Sequence, residues 1–438
     1  MNYHSPGYER KRQNSSHMPL VASNFTDTRR TSDSLCYVRC FPLVLITCFF
    51  GCSQSEQAEK EFSLTANSFI GDDINYVVTE AQALHFARNL EESVRSCDAI
   101  RSDDLVNIHS IYEIALREIN YPEQVEQIYL DAASKQSMMA SVISQVRNSG
   151  TYHFLRLRKI AGAYHPLFRL VHFDGAFTYH EFELMLNSDG QAIASDFYST
   201  VLGRWMQEDI ASTMVSDLNV RGDRVEPSAN AQRFLAHIKT FQRMLQAIQS
   251  NEMLLEALRE FRTLPRELQA DRRYLIMATN IAGRISEEEL VVEAARFKEH
   301  ISDELMLDHI LLGLMIQQKD TEKSLQIIQR IDERIGGDRF LDLTRANAYL
   351  ASNRIDEATK SIEGIHLAFP DIYAIYRTRA VLACRRHDFE LASRIIREID
   401  AQFGSTIDFG RVMDDKEFEE YAASSEFAAI AESLGTGQ

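Results

Sequence analysis

The sequence predicts an α+β domain, helices followed by a four-stranded antiparallel meander, ahead of an all-α array of stacked helical hairpins. Three observations predict it. Apolar residues recur with helical spacing between about residues 76 and 146. The period then changes to two at Tyr152 and stays so to Ser199. From about residue 232 the helical period returns and carries a self-similarity at an offset of 34 residues. Period two marks half-buried strands and period 3.6 marks amphipathic helices. Helices and strands segregated along the chain make an α+β unit.

Taken in order, residues 1–35 are polar, rich in Ser, Arg and Asn, and read as disordered or as an over-extended gene start, with Met18 as an alternative. Phe41 to Phe50 is an apolar run of ten, too short to span a bilayer, which takes about 20 residues. Arg39 flanks it, Gly51-Cys52 closes it, and Ser53-Gln54-Ser55-Glu56 ends the hydrophobicity. This pattern resembles a bacterial lipoprotein signal and implies lipidation of Cys52. Phe49 stands where that signal usually has Leu, and Leu45 to Cys48 is a competing site. The expected organisation is a disordered extension and signal over 1–52, a tether over 53–70, the α+β domain over 71–215, a linker over 216–231, helical repeats over 232–404 and capping helices over 405–438.

Within the α+β domain, Ala81 to Val94 and Leu105 to Ile119 give two amphipathic helices, with a third between Val125 and Val146. Four strands follow, at Tyr152–Ile160, Leu167–Phe173, Phe177–Leu186 and Ala192–Ser199. Asp174-Gly175 between alternating apolar residues is a hairpin signal. A two-residue turn there pairs Val171 with Thr178, Arg169 with His180 and Leu167 with Phe182. A four-residue second loop brings Leu184 to Ile193, His180 to Phe197 and Glu181 beside Asp196. That register puts an apolar face on the helices and leaves His172, Tyr179, Glu181, Glu183 and Asp196 on the other face. These five are the residues of a possible pocket. The arrangement is similar in topology to cystatin-like and NTF2-like domains, without a shared motif.

In the repeats, Thr344-Arg345-Ala346 recurs as Thr378-Arg379-Ala380, Ala358 falls on Ala392, Ile362 on Ile396, Ile365 on Ile399 and Phe369 on Phe403. Small residues stand where two helices approach closely, and larger apolar ones where a pair plugs into its neighbour. Weaker copies centre on Leu312 and Ser324, on Ala278 and Leu290, and near Phe241. A hairpin that cannot bury its own apolar face must stack. With Tyr349 and Pro370 also in place, the pattern resembles the tetratricopeptide repeat family over some 70 residues, although the signature tryptophan is absent and Ala383 stands where the second unit should have an aromatic. The resemblance implies a concave groove lined by the first helix of each pair. Here that means His309, Ile316, Phe340, Leu343, Asn347, Leu350, Arg377, Val381 and Arg385, with Asn347 and Arg377 suited to hold a peptide backbone or carboxylate. In the tail, Phe409, Phe418, Tyr421, Phe427, Ile430 and Leu434 are expected to cover the last repeat.

Charge narrows the function. The chain has 47 basic and 64 acidic residues, a net of −17; loss of residues 1–51 would leave 41 against 61, a net of −20. Such a surface repels nucleic acid and anionic lipid. Of six cysteines, Cys36, Cys40, Cys48 and Cys52 lie in or before the signal, and Cys97 and Cys384 make no disulfide framework. No HExxH, GxSxG, phosphate loop or GxGxxG occurs. No cofactor or metal is expected. The expectation is a non-enzymatic scaffold of the bacterial cell envelope, anchored by lipid and binding a protein or peptide in the groove. The alternatives are a small-ligand or enzymatic pocket in the α+β domain, and a soluble cytoplasmic regulator with a misplaced start.

Overall fold

A computed structural model of the chain describes residues 77–118, 129–130, 137–200, 203–208, 210–211, 214, 236–301, 304–403 and 416–433. The extension, the signal with Cys52, the tether and the linker lie outside these residues. So do residues 119–128 and 131–136 and the residues Phe409 and Leu434 of the tail.

Helix α1 (Glu80–Arg95) starts where Thr79 and Gln82 cap each other's backbone reciprocally. It buries Ala83, Phe86, Ala87, Leu90 and Val94 along one stripe. Helix α2 (Ala99–Leu105), capped by Asp98, α3 (Ile108–Glu118) and α4 (Ala140–Arg147) complete the layer. Strands β1 (Thr151–Ile160), β2 (Ala163–Val171), β3 (Phe177–Leu186), β4 (Ala192–Ser199) and β5 (Arg204–Trp205) form one antiparallel sheet in sequence order. β2 begins at Ala163, four residues before the expected start at Leu167. That half of β2 pairs with β1 but not with β3, the one-sided pairing in which proline is tolerated.

The register departs from the expected one by one residue. The first hairpin loop is Phe173-Asp174-Gly175, three residues rather than two. His172 N–H donates to the Ala176 carbonyl at 2.7 Å, Gly175 N–H donates to the His172 carbonyl at 2.9 Å, and Gly175 takes φ +89°. A type I turn followed by a left-handed glycine is the usual three-residue solution. Val171 therefore faces Phe177, Arg169 faces Tyr179 and Leu167 faces Glu181. The second loop, Ser188 to Gly190, is three residues rather than four and pairs Leu184 with Ala194 instead of Ile193; a bulge after Glu183 adds one more residue and sets Phe182 against Phe197 and Glu183 against Asp196, in place of the expected His180–Phe197 and Glu181–Asp196 neighbours.

Consequently both faces of the sheet carry apolar residues, and both are covered. Tyr152, Phe168, Leu170, Phe182, Ala194 and Phe197 pack on α1, α3 and α4. Leu167, Val171, Phe177 and Tyr179 belong to the core of the helical array.

That array comprises α5 (Ile238–Ser250), α6 (Leu254–Arg262), α7 (Arg266–Gln269), α8 (Arg272–Ile285), α9 (Glu287–His300), α10 (Glu304–Gln317), α11 (Thr321–Ile335), α12 (Leu341–Ala351), α13 (Ile355–Ile362), α14 (Ile365–Ala368), α15 (Tyr373–Arg385) and α16 (Phe389–Phe403). The 34-residue offset is written into the backbone. Lys319, Asn353 and His387, 34 apart, each take a left-handed φ of 55–61° between the two helices of a pair. Asp320, Arg354 and Asp388 each donate N–H back to Met315, Tyr349 and Ala383 at 2.9 Å. These are one helix ending repeated three times. Ala346, Ala358, Ala380 and Ala392 are fully buried at the close approaches. A 3-10 turn (Lys416–Phe418), α17 (Glu419–Ala422) and α18 (Ser425–Ser433) close the far end, where Phe418, Tyr421 and Ile430 are buried against α15 and α16. Among the described residues no helix is long and apolar enough to cross a membrane.

Candidate functional site

The expected groove is largely occupied by the chain's own sheet. His309 and Phe340, expected to face a partner, are buried. The Phe177 ring lies 5.3 Å from His309 and 5.5 Å from Phe340, and Tyr179 lies 5.9 Å from His309. Gly175 at the hairpin tip sits so close to α15 that an added Cβ would stand 2.9 Å from the Ala374 Cβ. Beside it Phe173 stacks on Tyr373 at 5.5 Å. Val381 is buried inside the array. His309 and Phe340 therefore do not face a groove, because the one-residue shift turned an apolar sheet face toward them, and Val381 does not because α16 and the closing helices cover it. Asn347 and Leu350 remain half-buried, with the Asn347 amide oxygen accepting from the Thr378 hydroxyl at 3.2 Å. Arg377 is half-buried and interacts with another group. Arg385 is exposed and holds Glu417 of the closing turn through two hydrogen bonds of 2.7 Å.

Between sheet and array lies a buried polar network that sequence reasoning did not identify. Arg169, fully buried, forms an ion pair with Asp338, itself buried in the loop between α11 and α12. Its guanidinium lies over the rings of Phe340 and Phe369 at 4.6 and 4.7 Å. The Tyr179 hydroxyl donates to Asp338 Oδ2 at 3.0 Å, and Phe340 N–H donates to Oδ1 at 3.0 Å. Burial, with Asp338 next to it, holds the Tyr179 hydroxyl well above its ordinary pKa. Arg156 donates to the carbonyls of Gly336 and Gly337. On the edge strand, His153 lies 3.1 Å from Asp371 of the array and 3.4 Å from Glu91 of α1. These are charge contacts rather than aligned hydrogen bonds. Burial opposes the charge on His153, but Asp371 and Glu91 outweigh it and push its pKa up to about 9. Only Arg169 gave a signal in the sequence, as a charge inside an apolar strand; Asp338 and Asp371 sit in loops without one.

The five residues of the expected pocket do not form one site. Tyr179 belongs to the interface just described. His172 lies at the hairpin, its Nδ1 2.9 Å from the Gln145 side-chain oxygen, and burial lowers its pKa. Glu181, Glu183 and Asp196 do gather, at the end of the sheet away from the hairpin, joined there by Arg158, His165 and Trp205. Arg158 donates to Glu181 Oε2 at 2.5 Å, and His165 Nδ1 stands 3.6 Å from Glu181 Oε1. The His165 ring is 6.4 Å from Trp205. Burial raises the pKa of Glu181 against the pull of Arg158, and burial raises that of Glu183. Asp196 Oδ1 accepts N–H bonds from Phe197 at 2.8 Å and Gln207 at 3.3 Å, while burial pushes its pKa up to about 7. His180 is a core residue on the opposite face, 3.4 Å from the Tyr152 hydroxyl, with burial lowering its pKa to about 3. Among the described residues no group of three or more His, Cys, Asp or Glu is placed to hold a metal ion. No family model, curated protein or solved structure matches the chain.

Proposed function

We propose that the protein is a non-enzymatic scaffold of tetratricopeptide type, held at a bacterial envelope membrane by lipid on Cys52, and that it binds a protein or peptide partner. The observation that carries the reading is the helix ending repeated at Lys319, Asn353 and His387, which makes the array a stack of equivalent hairpins. The sheet takes up the groove at His309 and Phe340. The partner surface is therefore the remaining strip, with Asn347, Leu350 and Arg377 half-buried and Arg385 exposed. Such a strip offers amide and guanidinium donors for carboxylates or peptide carbonyls.

The test is co-purification of the full chain from native membranes. A partner recovered with the natural chain should be lost from an Asn347→Ala, Arg385→Ala double variant of unchanged thermal stability. Undiminished recovery counts against the strip. Labelled palmitate incorporated by the natural chain and not by Cys52→Ser supports the anchor, and equal labelling removes it.

A further inference from the structure

The acidic end of the sheet holds more unpartnered acceptor capacity than a structural role requires. Three buried atoms there have no hydrogen-bond partner: Glu181 Oε1, Asp196 Oδ2 and His165 Nδ1. Their residues are 8%, 2% and 7% exposed. Buried polar groups are hydrogen-bonded in the great majority of cases, so each such atom calls for an explanation. Arg158 already spends its contact on Glu181 Oε2, at 2.5 Å. The groups acting on Asp196 are backbone N–H donors and the like-charged Glu183. Burial and Arg158 lower the His165 pKa and so favour the neutral ring, which with its proton on Nε2 offers Nδ1 as an acceptor. The place is reachable from outside, because Glu183 is exposed and Trp205 half-buried.

We propose that this end of the sheet binds an aliphatic primary ammonium group. Such a group carries three N–H donors and no acceptor, the complement of a cluster whose open atoms are all acceptors. Its positive charge offsets three carboxylates, against which Arg158 is set at Glu181. The Trp205 ring, 6.4 Å from His165 and 5.9 Å from Tyr198, supplies an aromatic wall for a cation and its methylene stem. A guanidinium would bring a planar fork of five donors for these three atoms. A quaternary ammonium has no donor at all. The site does not depend on the docking strip of the array and stands or falls separately.

Trp205 is the only tryptophan of the chain and reports on the site directly. The full chain is titrated at pH 8 and constant ionic strength with butylammonium, with tetramethylammonium and with Nα-acetyl-lysine methylamide, following tryptophan fluorescence. A saturable change with butylammonium and none with tetramethylammonium is expected. Response to the free amine alone points to a small-molecule source, and a stronger response to the lysine derivative points to a protein lysine; both support the site. In Asp196→Asn, checked for folding by circular dichroism, affinity should fall about tenfold or more, as for loss of a hydrogen bond to a charged group. Glu183→Gln, at an exposed position, should weaken binding several-fold and serves if the first variant does not fold. Equal responses to the two cations, no saturable response, or unchanged affinity in a folded variant overturns the proposal.

Discussion

Arg169 and Asp338 are the residues on which the sheet–array contact turns. Each is buried, and each is the other's charge partner. Removing one member of a buried pair leaves an uncompensated charge, which costs about 3–5 kcal/mol. Asp338→Ala should lower stability by that amount in denaturant unfolding, whereas Arg169→Met combined with Asp338→Leu should recover most of it. His153 sets a pH dependence. Folding raises its pKa from 6.5 to about 9, so the folded state holds the proton more tightly. Its stabilisation is complete below about pH 6.5 and is lost as pH rises through 9. Asp196 acts in the same direction at lower pH. Its pKa, raised from 3.8 to about 7, makes stability fall as pH rises across that interval. Unfolding midpoints between pH 5 and 10 should therefore decline, less in His153→Gln above pH 7 and less in Asp196→Asn below it. A decline unchanged in both variants would refute the assignment.

Among the elements, the β2–β3 hairpin and the close helix pairs carry the architecture. Gly175 has φ +89° and no room for a Cβ against Ala374. Gly175→Ala should destabilise by about 1–2 kcal/mol for the left-handed backbone alone, and further for the clash. Adding Ala374→Gly relieves the second part and not the first, so the two substitutions should couple favourably in a double-mutant cycle. Ala380 is fully buried between the helices of its pair. Ala380→Leu should cost about 1–3 kcal/mol through overpacking, read as a lower thermal midpoint. A neutral outcome would mean that the small residue is not a close-approach position.

At the scale of the molecule, the sheet is a shared layer. One face completes the core of the N-terminal helices and the other completes the core of the array. Neither part buries its apolar surface without the other, so the described elements should unfold together. Trp205 fluorescence reports on the sheet, and circular dichroism at the helical band reports mainly on the array. The two transitions should coincide in denaturant. Separate midpoints would show that the array folds independently of the sheet. An array freed of the sheet would expose Leu343, Phe340 and His309, and should self-associate.

By itself the sequence determined the kinds of element and their order, because hydrophobic period is a local property of the chain. Strands β3 and β4 begin and end where alternation does, and the alanines at 346, 358, 380 and 392 marked close approaches that the structure contains. The tertiary structure decided the register, the facing of the sheet and the fate of the groove. A three-residue loop and one bulge differ from their alternatives by one residue, and alternation is blind to such a shift. That shift set Arg169 beside Tyr179 on the face covered by the array and carried His172 to the opposite face, against Gln145. The groove was filled for the same reason. Apolar residues on both sides of a strand announce two buried faces, but which helices cover them depends on contacts more than a hundred residues apart, such as that of Arg169 with Asp338.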